Sequence, residues 1–214
     1  MLFEEGKVYA INKPKGISSF QVIRQLKKIS GILRIGHAGT LDPLASGVLV
    51  VAVGRAATKT ISSLMAEDKV YLATLRLGAT SSTDDDEGEK TLVSDRIPNL
   101  AEIQNALPTF IGTIAQVPPV FSAIKVSGKR SYALARKGVA INLSPRPVTI
   151  YAIDLISYDY PTLLLRIHCG KGVYIRSLAR DLGVSLKIGA YLTDLVRERV
   201  GPYTLENSLT LPPS

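Results

Sequence analysis

Gly36-His37-Ala38-Gly39-Thr40-Leu41-Asp42-Pro43-Leu44-Ala45-Ser46-Gly47 runs directly into the apolar stretch Val48-Leu49-Val50-Val51-Ala52-Val53. Three glycines, a proline and a serine in so short a loop specify a backbone path rather than a slack linker. The apolar stretch reads as a strand. An aspartate held on such a loop is a candidate nucleophile or general base. In a tight turn the same residue would only accept bonds from neighbouring backbone N–H groups. The loop by itself leaves both readings open.

Outward from this loop, the chain alternates strands and helices without a strict repeat. A strand over about residues 7–12 leads into the turn Lys13-Pro14-Lys15-Gly16. Ser18 or Ser19 can cap a helix to about Ile29, with Val22, Ile23, Leu26 and Ile29 on one face. Residues 56–65 read as helix. Residues 69–77 alternate as a strand, Tyr71, Ala73, Leu75 and Leu77 to one side. Residues 80–89 are a polar, acidic loop. Asn99 and Glu102 form a capping-box signal for a helix to about Phe110. A short strand before Pro118, another over 121–126, a turn at 127–130 and a short helix from Ser131 to Gly138 follow. Long strands at about 147–158 and 162–169, a helix at about 175–186 and a strand at about 190–199 complete the order. Strands in adjacent pairs predict an α+β fold with a mixed, largely antiparallel sheet flanked by helices and loops. Nothing marks a boundary, so a single catalytic domain over residues 1–214 is expected.

Bulk properties narrow the function. The 214 residues suffice for a sizeable core, and no apolar run reaches the 18 or more residues of a membrane span. Met1-Leu2-Phe3-Glu4-Glu5 lacks a signal pattern, and one cysteine, Cys169, excludes an internal disulfide framework; both fit a cytoplasmic protein. One cysteine and two distant histidines, His37 and His168, argue against a zinc site. The net charge of +8 favours a polyanionic partner, chiefly nucleic acid. Positive residues cluster at 24–34, 125–137 and 166–180, whereas negatives concentrate at Asp84, Asp85, Asp86, Glu87 and Glu89. That separation is expected to leave basic surface free for phosphates.

Three further segments join the Asp42 loop: Lys69 to Gly78, Gln116 to Tyr132, and Cys169-Gly170-Lys171-Gly172-Val173-Tyr174-Ile175-Arg176-Ser177-Leu178-Ala179-Arg180. With these four motifs in order, the chain closely resembles the TruB family of pseudouridine synthases. The resemblance implies isomerisation of a tRNA T-loop uridine, at position 55, to pseudouridine, with no cofactor and no metal. It assigns the nucleophile to Asp42, the active-site tyrosine to Tyr71, and the basic partner of the aspartate with its neighbouring tyrosine to Arg176 and Tyr174. It maps an acidic-loop carboxylate to Asp85, an apolar wall against the base to Leu195, and a histidine that packs into the T-loop to His37. It suggests a monomer whose partner is the tRNA T-stem-loop.

The chemistry fits these residue types. A carboxylate attacks the sugar or the ring, or takes a sugar proton, while the glycosidic bond breaks; the base then turns and rebonds through carbon. A guanidinium such as Arg176 keeps that carboxylate ionised. An aromatic such as Tyr71 gives the loosened base a floor, and its hydroxyl can move the C5 proton. The base must be flipped out at a cost of about a few kcal/mol, which stacking by His37 partly recovers. Taken singly, His37 is also read as a capping or core histidine, Tyr71 as a strand aromatic and Cys169 as inert. Arg176 at a helix start opposes the helix dipole, which hints at a functional partner. Lys129 and Arg130, in a tip loop, read as phosphate contacts.

Two departures stand out. Where the family commonly has Ala-His-Leu, this chain has Ala190-Tyr191-Leu192, so Tyr191 receives no role. The chain also stops where many members begin a C-terminal domain of PUA type, so none is expected. The rivals are a guide-RNA-dependent pseudouridine synthase and a non-catalytic tRNA-binding module on the same fold.

Overall fold

The computed structural model describes residues 3–122, 125–126, 129–131 and 141–211. The chain divides into two compact units. One comprises residues 1–72, 168–171 and 194–214, the other residues 73–167 and 172–193.

The first unit is built on β1 (Val8–Lys13), α1 (Ser19–Ser30), β2 (Ile35–Ala38) and β3 (Ala45–Val53). Strand β3 is central. It pairs antiparallel with β1, Tyr9 opposite Val51. Its other edge is shared. The C-terminal half takes β2 antiparallel, and the N-terminal residues take the end of β12 (Ala190–Val200) in parallel, Leu195 opposite Ala45 and Arg197 opposite Gly47. Leu49, Val51 and Val53 pack on Val22, Ile23 and Leu26 of α1. Val48 and Val50 face the other way, with Ala38 and Val200, against Ile61 and Leu64. Burial on both sides is why the strand is a continuous apolar run rather than an alternating one.

Helix α1 starts at the expected serine. Ser18 accepts from the Gln21 N–H while its own N–H donates to Gln21 Oε1, closing a capping box, and Gly31 ends the helix in the left-handed region. The helix expected over 56–65 is instead two pieces, α2 (Gly54–Thr58) and α3 (Ile61–Ala66). Both the backbone N–H and the hydroxyl of Thr60 donate to the Ala57 carbonyl, the acceptor a continuing helix would need for Ile61. Short strands β13 (Tyr203–Thr204) and β14 (Leu209–Thr210), not anticipated from sequence, edge β12 and β1.

The second unit orders its strands β12–β4–β11–β10–β7, where β4 is Lys69–Leu77, β7 Gly112–Gln116, β10 Arg146–Asp159 and β11 Thr162–Cys169. β4 shows the expected alternation, with Ala73, Leu75 and Leu77 buried. The acidic loop is the tip of a small hairpin, β5 (Ala79–Ser81) with β6 (Lys90–Leu92). Helix α4 (Leu100–Ala106) has the Asn99–Glu102 capping box but does not reach Phe110 as a regular helix. It tightens into a 3-10 turn, Leu107–Phe110, because Pro108 has no N–H to donate. β8 (Lys125–Val126) pairs with β9 (Lys129–Arg130); beyond Ser131 the helix expected from Ser131 to Gly138 lies outside the described residues, as does part of the expected strand 121–126. Helix α5 (Ile175–Ser185) closes the order. The fold is thus α+β, with a mixed and largely antiparallel strand arrangement flanked by helices. Among the described residues no helix is long and apolar enough to cross a membrane.

Leu26 is fully buried between α1 and β3. Leu26→Ala is expected to destabilise the chain by about 2–5 kcal/mol in urea unfolding, whereas Lys28→Ala, on the exposed face of the same helix, should change it by less than about 0.5 kcal/mol.

Candidate active site

In the first unit the Asp42 loop is tied down by residues distant in sequence. Ser19 Oγ accepts from the Leu41 N–H at 2.8 Å and donates to the Leu41 carbonyl at 3.0 Å. Gly16 N donates to the Pro43 carbonyl, and Ala45 N to the Asp42 carbonyl. Gly47, at φ +104°, lies so close to β12 that a Cβ there would sit 2.3 Å from the Arg197 carbonyl oxygen. Only glycine meets both conditions. The loop is therefore a rigid platform that carries a half-buried Asp42.

Buried charged and polar groups share this unit with the loop, and the Asp42 charge acts on two of them, Lys13 and Tyr71. Lys13 is fully buried, its Nζ donating to the Pro14 and Ile17 carbonyls. Burial brings its ammonium down from 10.5 to about 8; the Asp42 charge opposes that fall and the Arg197 charge adds to it. Tyr71 is buried at the start of β4, its phenol pushed up by burial and pulled back by the charge and hydrogen bond of Arg197, with Asp42 pushing it up again. Arg197 is fully buried; Nε donates to the Val48 carbonyl at 2.8 Å and Nη2 to the Gly39 carbonyl at 3.0 Å. Two residues before it on β12, and so on the same face, stands the buried Leu195. His37 on β2 is half-buried, and its Nδ1 is enclosed without a hydrogen-bond partner among the described residues. Burial, and then the Arg197 charge, hold its imidazolium below the usual value, so the ring is neutral at neutral pH.

Asp42, Tyr71, Leu195 and His37 were expected from the sequence, and all belong to this unit. Lys13 and Arg197 were not. Arg197 had left a signal, a charged residue in the same strand phase as Leu195. A charge on the buried face of a strand needs a reason.

In the second unit Arg176 lies in the first turn of α5 and is 7% exposed. Its Nη1 bonds Asp85 Oδ2 at 3.1 Å and the Thr83 carbonyl, and its Nη2 bonds the Phe121 carbonyl at 2.8 Å. Asp85 is itself 4% exposed and also accepts from Thr83 Oγ1 and the Glu87 N–H. One helical turn on, Arg180 bonds Asp84, Asp181 and the Val117 carbonyl. Burial raises the Asp84 carboxyl even against the two arginines. This corrects one sequence-based expectation: the acidic run does not stand apart from the 166–180 basic cluster but is bonded to two of its arginines. Opposite charges far apart in sequence meet because the β5–β6 hairpin delivers its tip to α5.

Tyr174 precedes α5 half-buried, and the side chain of Gln116 grips its backbone, accepting from the Tyr174 N–H at 2.8 Å and donating to its carbonyl at 3.1 Å. Gln116, buried at the end of β7, is a second positioning group that the sequence reading missed. Tyr191 is buried, with the Lys90 ammonium 5.4 Å from its ring centre. Cys169 is buried and its thiol pushed up to about 12, in keeping with an inert strand residue. The side chains of Lys129 and Arg130 lie outside the described residues.

Comparison with known proteins gives a consistent result. Residues 27–175 match the family described as TruB family pseudouridylate synthase (N terminal domain). A protein of Clostridium novyi named tRNA pseudouridine synthase B is 49% identical over 201 residues, 94% of this chain and 69% of that one. A Bacteroides fragilis protein of the same name is 45% identical over 219 residues, covering 98% and 92% of the two chains. Among solved structures, "Crystal Structure of a Cbf5-Nop10-Gar1 Complex" aligns with a TM-score of 0.75 at 30% identity over 95% of this chain, which spans about half (52%) of that chain.

The depressed Lys13 ammonium gives a pH signature. Between about 8 and 10.5 the unfolded chain holds a proton that the folded chain has released, so this residue's contribution to stability rises with pH across that window. Unfolding free energies measured from pH 7.5 to 10.5 should show wild type gaining on Lys13→Met by up to about 3 kcal/mol. A constant difference would mean that Lys13 titrates normally.

Proposed function

This chain belongs to the TruB family of pseudouridylate synthases, and from that premise we propose that it converts the T-loop uridine 55 of tRNA to pseudouridine with Asp42 as nucleophile. The observation that carries the proposal is the rigid Asp42 loop with a buried tyrosine, an apolar leucine and a neutral histidine in the same unit. Relatives named for tRNA, at 45–49% identity, support tRNA as the substrate.

The roles follow from the groups. The Asp42 carboxylate attacks the base or sugar, or removes a sugar proton, as the glycosidic bond breaks. Tyr71 underlies the freed uracil, and its hydroxyl moves the C5 proton once carbon has bonded to the sugar. Leu195 walls the base. Neutral His37 stacks in the space the flipped nucleotide leaves, without the cost of desolvating a charge. Arg176, held by Asp85, keeps the role of cation that the family pattern gives it, with Tyr174 beside it in sequence. A pure binding module would have no use for a buried phenol or for an aspartate loop pinned this tightly.

Asp42→Asn should abolish tritium release from tRNA carrying 5-tritiated uridine, while tRNA affinity stays within about threefold; release equal to wild type would sink the nucleophile reading. Because phosphates supply much of the affinity, the logarithm of the binding constant should fall steeply and linearly with the logarithm of salt concentration. A flat response in filter binding would contradict a polyanionic substrate.

A further inference from the structure

Arg197 has no part in the chemistry described above, yet among the described residues it is the largest fully buried side chain, at 1% exposure. We propose that Arg197 is a positioning residue of the isomerisation, one guanidinium that fixes the Tyr71 hydroxyl and both limbs of the Asp42 loop at once. The proposal rests on the roles given to Asp42 and Tyr71.

The geometry is specific. Gly39, whose carbonyl accepts from Nη2, lies on the strand side before Asp42; Val48, whose carbonyl accepts from Nε, lies after it. The Tyr71 phenol lies within reach of the same guanidinium, whose charge and hydrogen bonding both act to lower its pKa. The backbone of Arg197 is locked as well, since it pairs with Gly47 in register and touches the place where any Cβ on Gly47 would stand. Strand, loop and tyrosine are thus joined through one residue.

Packing alone does not require this residue type. Burying a guanidinium costs several kcal/mol, and a methionine or leucine would fill similar space without that cost. Among the described residues its hydrogen bonds go to two carbonyls, neutral acceptors that leave its positive charge acting outward. That charge reaches Lys13, His37, Lys69 and Tyr71, each of which it shifts. Lysine cannot replace it, because a single ammonium has no planar fork to span Gly39 and Val48 while also meeting Tyr71.

The test compares Arg197→Lys with wild type in two backgrounds, native and Tyr71→Phe. The readouts are single-turnover tritium release from tRNA, tRNA affinity by filter binding, and the thermal midpoint. The expected result is a rate lowered tenfold or more for Arg197→Lys, with affinity within threefold and the fold retained. In the Tyr71→Phe background the same change should cost less than threefold, because the group it positions is already gone. Equal losses in both backgrounds, an unchanged rate, or a loss confined to affinity would overturn the proposal. Should Arg197→Lys not fold, Arg197→Gln, which keeps donors for the carbonyls, is judged by the same comparison. Full activity of Tyr71→Phe alone would overturn the tyrosine's role instead, a result separable from every outcome for Arg197.

Discussion

The parallel pairing of Leu195, Val196 and Arg197 with Ala45, Ser46 and Gly47 constrains everything around it. It brings two distant stretches so close that position 47 has room for no side chain, and it presents the Arg197 guanidinium to carbonyls on either side of Asp42. Backbone contact of this kind costs the glycine's conformational entropy in the unfolded state. In return the carboxylate rides on a loop whose path is set by strands rather than by its own turn propensity. A loop so held keeps its geometry when a nucleotide is brought against it, which is what preorganisation for a slow bond rearrangement demands.

The second unit uses charge for the same end. Arg176 and Arg180, a helical turn apart on α5, are bound by Asp85 and Asp84 at the hairpin tip and by carbonyls of residues 117 and 121. The Arg176–Asp85 pair is buried, so its value is less net stability than a fixed direction for the guanidinium. Exposed pairs elsewhere, such as Lys15–Asp194, add little.

Much of the fold was legible because its signals are local. The Ser18–Gln21 and Asn99–Glu102 caps, the alternation over 69–77 and the unbroken apolar run at 48–53 each declare an element through short-range hydrogen bonding or burial periodicity. Where the reading failed, a competing bond decided. Thr60 diverted the Ala57 carbonyl and split a helix, and Pro108 removed a donor and tightened another. The small strands β2, β5, β6, β13 and β14 are too short to carry a periodicity of their own and exist because a neighbour offers a free edge.

The sequence by itself determined the order of the longer elements, the α+β class and the family, with Asp42, Tyr71, His37 and Leu195 named as candidates, since motif identity and local pattern survive in one dimension. Tertiary structure alone decided which charges meet which. Asp85 pairs with Arg176 across 91 positions, Arg197 reaches Gly39 across 158, and Lys13 loses its usual basicity through burial beside another cation. Electrostatic energy depends on distance in space and on the water excluded from between the groups. Neither quantity is written in the order of residues along the chain.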